Sequence, residues 1–124
     1  MNIKINTISD RIRNGLINSN ELKNIQDFAK AENMLFKSIP LKDGTTAKIL
    51  ANAVEYDCLI MKNGKVVTSR GQSGTTDNVA QGILGLFEHI NKRKRADNNI
   101  NIDNESFDFL DKYLNKYDKF LSAI

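Results

Sequence analysis

Apolar residues recur at helical spacing in the first third of the chain, in two groups: Ile5, Ile8, Ile12 and Leu16, then Leu22, Ile25, Phe28 and Ala29. A spacing of three and four predicts two helices, joined by a polar link at 18–20. Two helices joined in this way invite a DNA-binding helix-turn-helix interpretation. We favour packing helices, because Glu21, Asp27 and Glu32 would repel phosphates from the second helix.

The pattern then changes to short apolar and β-branched runs, which predict strands at about 35–41, 45–52, 56–62 and 65–70. Asn63-Gly64 separates the last two runs by two residues and is a strong hairpin signal, because both positions of a type I′ turn need positive φ. Asp43-Gly44 is a second turn signal, and Pro40 places the first strand at a sheet edge. The stretch Ala47–Ala53 is rich in alanine and leucine, so a helix is the alternative there.

Helical spacing returns in the last part of the chain. Val79, Ile83, Leu86 and Ile90 predict a core-facing helix, although Gly82 and Gly85 interrupt it. Each glycine costs about 1 kcal/mol relative to alanine, so we expect close approach of the sheet or of a second copy of the chain. Simple tolerance of the two glycines is the alternative. An aromatic-rich helix is predicted over 103–124, where it packs on the domain or forms an oligomer contact.

These elements predict an α+β fold with N-terminal helices, a four-stranded antiparallel meander sheet and two C-terminal helices. A chain of 124 residues is expected to form one domain spanning 1–124. No run of about 18 apolar residues is present, so no membrane partner is expected. The first residues lack a signal-peptide core, and the lone Cys58 suits a reducing compartment, which predicts a cytoplasmic protein. The abundance of Asn, Ile and Lys hints at a bacterial or mobile-element origin.

The segment between the last predicted strand and the following helix is the first candidate site. Its glycines would let backbone amides turn toward one point, and the helix N-terminus would add positive charge. Hydroxyl and guanidinium groups complete a predicted site for an anionic, nucleotide-like small molecule, made of Arg70, Gly71, Ser73, Gly74, Thr75 and Thr76. The spacing is that of neither a Walker loop nor a dinucleotide fingerprint. A plain strand-to-helix connection capped by threonine is the alternative interpretation.

The densest charge in the chain is the run Lys92-Arg93-Lys94-Arg95 at the predicted end of the central helix. Such a run is typical of a solvated helix end, and it suits the negative pole of the helix dipole. Lys92, Arg93 and Arg95 are also candidates for binding the anionic ligand or nucleic acid. The net charge of +3 is too small to indicate nucleic acid by itself.

Catalysis has little support in the sequence. Cys58 lies within an apolar strand and His89 on a helix flank, so a buried small residue and a surface imidazole are the favoured interpretations. One Cys and one His give no metal spacing, and no cofactor is expected. The leading hypothesis is a non-enzymatic, homo-oligomeric protein that captures an anionic small molecule. The alternative is a nucleic-acid-binding or partner-inhibiting module that acts through Lys92–Arg95.

Overall fold

The computed structural model describes residues 7–92 and 108–117. Three short helices, α1 (Ile8–Arg13), α2 (Ser19–Lys23) and α3 (Ile25–Ala31), precede a sheet and a long helix, α4 (Thr76–Lys92). The strands are β1 (Leu35–Pro40), β2 (Thr46–Ala51), β3 (Glu55–Lys62) and β4 (Lys65–Ser73). Residues 108–117 are helical and belong to a last helix, α5. The predicted α+β fold is confirmed.

The four strands form one antiparallel sheet in the order β1-β2-β3-β4. The predicted hairpin joins β3 to β4, and Asn63 (φ 53°) and Gly64 (φ 78°) both have the positive φ that a type I′ turn needs. Residues 46–51 form a strand rather than the alternative helix, because β2 pairs along its length with both β1 and β3. Packing between two neighbours therefore overrides the helix propensity of its alanine and leucine.

Helices cover both faces of the sheet, and each face has its own apolar core. One core joins α4 and α5 to the sheet through buried residues that include Ile49, Cys58, Ile83, Phe87 and Tyr113. The other core joins α1–α3 to the opposite face through residues that include Ile8, Ile25, Ala29, Leu50 and Leu59. Side chains alternate between the two faces along β2 and β3, so each of these strands contributes residues to both cores.

The structure corrects two predicted boundaries. The second predicted helix is broken at Asn24, whose φ of −118° and ψ of 53° separate α2 from α3. β4 does not end near Arg70, because Gly71, Gln72 and Ser73 continue the pairing with β3. The predicted start of the last helix at residue 103, its continuation beyond 117 and the Ile5 contribution to the first helix lie outside the described residues.

Both of the interior glycines of α4 were expected to mark a close approach, and only one does. A Cβ at Gly82 would overlap the ring of Tyr56 on β3, so the sheet is the partner there. A Cβ at Gly85 would meet nothing within 4 Å among the described residues. The aromatic face of α5 packs on the protein itself, since Phe109, Tyr113 and Tyr117 are all buried. No helix in the described ranges is long and apolar enough to cross a bilayer.

Candidate functional site

The residues of the predicted strand–helix site lie in three places: on β4, in the short loop that follows it and at the start of α4. Arg70 is exposed on β4, where it lies opposite Cys58 and therefore on the α4 face of the sheet. Gly71 and Ser73 are strand residues, paired with Asp57 and Glu55. The glycine-rich loop of the sequence prediction is thus shortened to Gly74 and Thr75.

The remaining residues of that segment already hold partners within the protein. The Gly74 N–H donates to the Val54 carbonyl at 2.9 Å. The Thr75 hydroxyl accepts from the Asn78 N–H at 3.2 Å, which caps α4, and the buried Thr76 hydroxyl donates to the Ala53 carbonyl at 2.8 Å. These contacts are those of a strand-to-helix connection. Anion binding at Arg70–Thr76 stays a prediction.

The second predicted cluster, the basic run 92–95, lies mostly outside the described residues. Lys92 is the last residue of α4, whereas Arg93 and Arg95 lie outside the described residues. Binding of an anion or nucleic acid by the run 92–95 therefore also stays a prediction.

A different set of basic residues lines a groove of about 420 Å³ on the α1–α3 face of the sheet. Lys23 enters from the end of α2, Lys48 from β2 and Lys62 from the end of β3. The tips of the two hairpins close one side of the groove, at Gly44 and at Asn63-Gly64. The groove could not be predicted from the sequence, because its lysines are separated along the chain and line one surface only in the folded protein.

Local structure explains how each lysine reaches the groove. α2 ends at Lys23, because Asn24 leaves the helical conformation. Lys23 therefore lies at the end of the helix, where it lines the groove. Lys48 alternates with the buried Ala47 and Ile49 of β2 and therefore lies on the opposite face, above which α1–α3 pack. Lys62 is the last residue of β3 before the tight turn. It follows Met61, whose side chain is buried in the α1–α3 core, so Lys62 lines the groove from the hairpin end of the sheet rather than from that face.

The charge balance of the groove is positive. Its lining carries three lysines and one carboxylate, that of Asp27, together with the amide side chains of Asn24, Gln26 and Asn63. Within the described part of the chain, none of the three ammonium groups forms an ion pair at 4.0 Å or less. The Lys48 ammonium lies 5.7 Å from the centre of the Phe36 ring, which helps to hold it in place. Lys62 pairs directly opposite Lys65, and two like charges so placed repel one another.

A pair of buried carboxylates was also missed by the sequence analysis. Glu55 and Asp57 alternate on β3 and accept the first backbone N–H groups of α1: Ile8 N–H bonds to Glu55 Oε2 at 3.0 Å and Ser9 N–H to Asp57 Oδ1 at 2.9 Å. Burial, followed by the adjacent Glu55 carboxyl, raises the pKa of Asp57 to about 8. A carboxylate at every second position of an apolar strand is the signal that could have revealed the pair.

Gly71 provides the space for this arrangement. A Cβ at Gly71 would overlap the Asp57 carboxylate and lie 3.0 Å from the Ser9 hydroxyl. Both members of the pair are buried, with Asp57 0% and Glu55 6% exposed, and their contacts fix α1 on the sheet. We therefore assign it a structural role.

The cysteine and histidine considered for catalysis lie in contrasting environments. The Cys58 thiol is buried in the core beneath α4, and His89 is exposed on α4. No cluster of three or more His, Cys, Asp or Glu residues able to hold a metal occurs within residues 7–92 and 108–117.

Comparisons of the chain with protein-family models, with curated proteins and with solved structures give no match.

Proposed function

We propose that this protein binds a small anionic molecule in the groove formed by Lys23, Lys48 and Lys62. The observation that carries the proposal is that three lysines, without an acidic ion-pair partner among the described residues, line one concave surface of about 420 Å³. Charges of one sign in a cleft concentrate an oppositely charged ligand there.

The lining indicates the chemical class of the ligand. Ammonium groups bind phosphate and carboxylate as point charges, and pockets of about 300–1,000 Å³ accommodate small organic molecules. The amide side chains of Asn24, Gln26 and Asn63 supply donors and acceptors for an uncharged part of the ligand. A nucleotide-like molecule, with a phosphate among the lysines and a polar ring against the amides, fits this combination.

We propose binding rather than catalysis, because the described lining contains neither Cys nor His. The ligand is captured in the cytoplasm, in keeping with the lone Cys58, by a chain that folds as one domain over residues 1–124. The anion site predicted at Arg70 lies on the opposite face of the sheet from Lys48, so the two locations can be tested separately.

A thermal-denaturation titration with inorganic phosphate and with an adenine nucleotide tests the proposal. Ligand that binds only the folded state should raise the melting temperature, increasingly with concentration. Lys62→Ala should weaken binding about tenfold, because a charge-assisted hydrogen bond is lost. Lys65→Ala is the matched control, since it removes the same charge from the facing position, outside the groove lining.

The outcomes separate the possible sites. Loss of the response in Lys62→Ala and Lys48→Gln, with retention in Lys65→Ala and Arg70→Ala, supports the groove. No response of the wild-type protein, or equal losses in Lys62→Ala and Lys65→Ala, contradicts it. A response lost only in Arg70→Ala would move the ligand to the α4 face.

A further inference from the structure

β4 is an edge strand whose outer side is available for pairing. It is nine residues long, its neighbour in the sheet is β3, and no other described strand pairs with it. Arg70, Gln72 and Ser73 are exposed, and Ser69 and Gly71 are partly so. An exposed row of unpaired N–H and C=O groups is a template for another strand.

The ladder shows which residues of β4 direct their backbone groups outward. The Gly74 N–H donates to the Val54 carbonyl at 2.9 Å, so this pair is hydrogen-bonded. Hydrogen-bonded and non-hydrogen-bonded pairs alternate along an antiparallel ladder. The pairs Glu55–Ser73, Asp57–Gly71 and Leu59–Ser69 are therefore non-hydrogen-bonded. The N–H and C=O groups of Ser69, Gly71 and Ser73 point away from β3.

The other edge of the sheet is protected where β4 is not. The Leu41 N–H donates to the Thr45 carbonyl at 2.9 Å, which by the same alternation places Phe36, Ser38 and Pro40 in the outward row of β1. Pro40 has no N–H, so the outward row of β1 is interrupted. The equivalent row of β4 contains no proline.

The end of β4 next to the Asn63-Gly64 turn is protected from pairing in a different way. Met61 pairs with Val66 and Ile60 with Thr68, so Val67 is an extra, bulged residue. Lys65 adds a charge beside the bulge. Bulges and lysines at an edge discourage open-ended pairing. The unprotected part of the edge is thus limited to about residues 69–73, a length suited to one finite contact.

We propose that this protein forms a symmetric dimer in which β4 pairs antiparallel with β4 of a second copy, about a two-fold axis at Gly71. This register places Ser69 opposite Ser73 of the second copy and uses all three outward residues of each chain. Arg70 then lies opposite Gln72 of the second copy, where the guanidinium can donate to the amide oxygen. A two-fold axis at Arg70 would instead oppose two guanidinium groups and is disfavoured.

A second copy fits this edge because the segment is complementary to itself. Its side chains at 69, 71 and 73 are small, so two backbones can approach closely, and its one charged residue faces a neutral partner. An isologous contact of this kind closes on itself and stops at two chains. The edge at 69–73 lies at the end of β4 remote from the lysine groove, so the dimer and the ligand proposal stand independently.

Sedimentation velocity of the full chain over micromolar to submillimolar concentrations tests the dimer. The wild-type protein should show a concentration-dependent monomer–dimer equilibrium. Gln72→Arg should weaken the dimer about tenfold or more. The two-fold axis places residue 72 of each copy opposite Arg70 of the other, so the substitution creates two repulsive pairs of arginines. Combining it with Arg70→Gln exchanges the two side chains and should restore association to near the wild-type level.

A backbone variant provides an independent check. Ser69→Pro removes an outward N–H that β3 does not use, so it should keep the circular dichroism spectrum and abolish the dimer. Ser38→Pro removes an outward N–H from β1 and should leave the dimer intact. A wild-type protein that is monomeric throughout the range would overturn the proposal. So would a Gln72→Arg variant that associates as the wild type does, or a loss of dimer in Ser38→Pro alone.

Discussion

Gly82 of α4 packs directly against the ring of Tyr56 on β3, and a Cβ at residue 82 would lie only 3.0 Å from the ring carbon Cζ and closer still to Cε1. Tyr56 is itself buried in the core beneath α4. The absence of a side chain at 82 therefore sets how closely the long helix approaches the sheet. The cost of a glycine within a helix is offset by this contact.

Gly82→Ala should accordingly destabilise the protein by about 1–3 kcal/mol, because the added methyl group displaces the Tyr56 ring or the helix. Gly85→Ala is the matched control in the same helix, since its Cβ would meet nothing within 4 Å among the described residues. Alanine has the higher helix propensity, so that variant should be stabilised by up to about 1 kcal/mol. Urea unfolding compares the two, and equal effects would show that Tyr56 does not set the helix position.

The raised pKa of Asp57 predicts a pH dependence of stability. The folded state retains a proton on this carboxyl up to about pH 8, whereas an unfolded aspartate releases it near its ordinary value of 3.8. The free energy of unfolding should therefore fall as pH rises through that window, by at most about 1.4 kcal/mol per pH unit.

Asp57→Asn removes this titration while retaining an oxygen for the Ser9 N–H. Unfolding measured at about pH 5 and about pH 8 should show a flatter pH dependence for the variant than for the wild type. The groups that face Asp57 are the Glu55 carboxyl on its own strand, the Ser9 amide and hydroxyl on α1 and the backbone of Gly71 on β4. An unchanged slope would mean that Asp57 is ionised in the folded protein throughout the window.

The Ala53 carbonyl joins both C-terminal helices to the sheet. It accepts from the Thr76 hydroxyl at 2.8 Å and from the Tyr113 hydroxyl at 3.4 Å. Thr76→Val and Tyr113→Phe should each cost about 1 kcal/mol, with a double variant less destabilised than the sum if the two donors compensate for each other. Both should retain phosphate binding. A loss of binding in Thr76→Val would return the ligand to the N-terminus of α4.

Sequence pattern was sufficient for the turn between β3 and β4, but it left one strand ambiguous and ended another too early. Asn63-Gly64 identified the hairpin because its backbone requirement is local. The ambiguity over residues 47–53 could not be resolved in this way, because the strand conformation of β2 depends on pairing with two neighbours. The end of β4 was placed too early because Gly71 indicated a loop, whereas it is the space that Asp57 and Ser9 require in the folded protein.

The groove could not be predicted from the sequence for a related reason. Lys23, Lys48 and Lys62 are about 25 and 14 residues apart along the chain and are brought together only by the packing of α2 on the sheet. The strand–glycine–helix segment was conspicuous because its residues are contiguous. Its polar groups at Gly74, Thr75 and Thr76 are used within the protein.

Chemical-shift mapping by NMR tests the central claim most directly, because it reports the location of a bound anion as well as its presence. Inorganic phosphate titrated into ¹⁵N-labelled protein should shift the backbone amides of Gly44, Asn63 and Gly64 at the groove, and the shifts should saturate. The amides of Gly71 to Thr76 should move little. Saturable shifts confined to that segment, or no saturable shift at the hairpin tips with either phosphate or a nucleotide, would contradict the assignment of the lysine groove as the anion site.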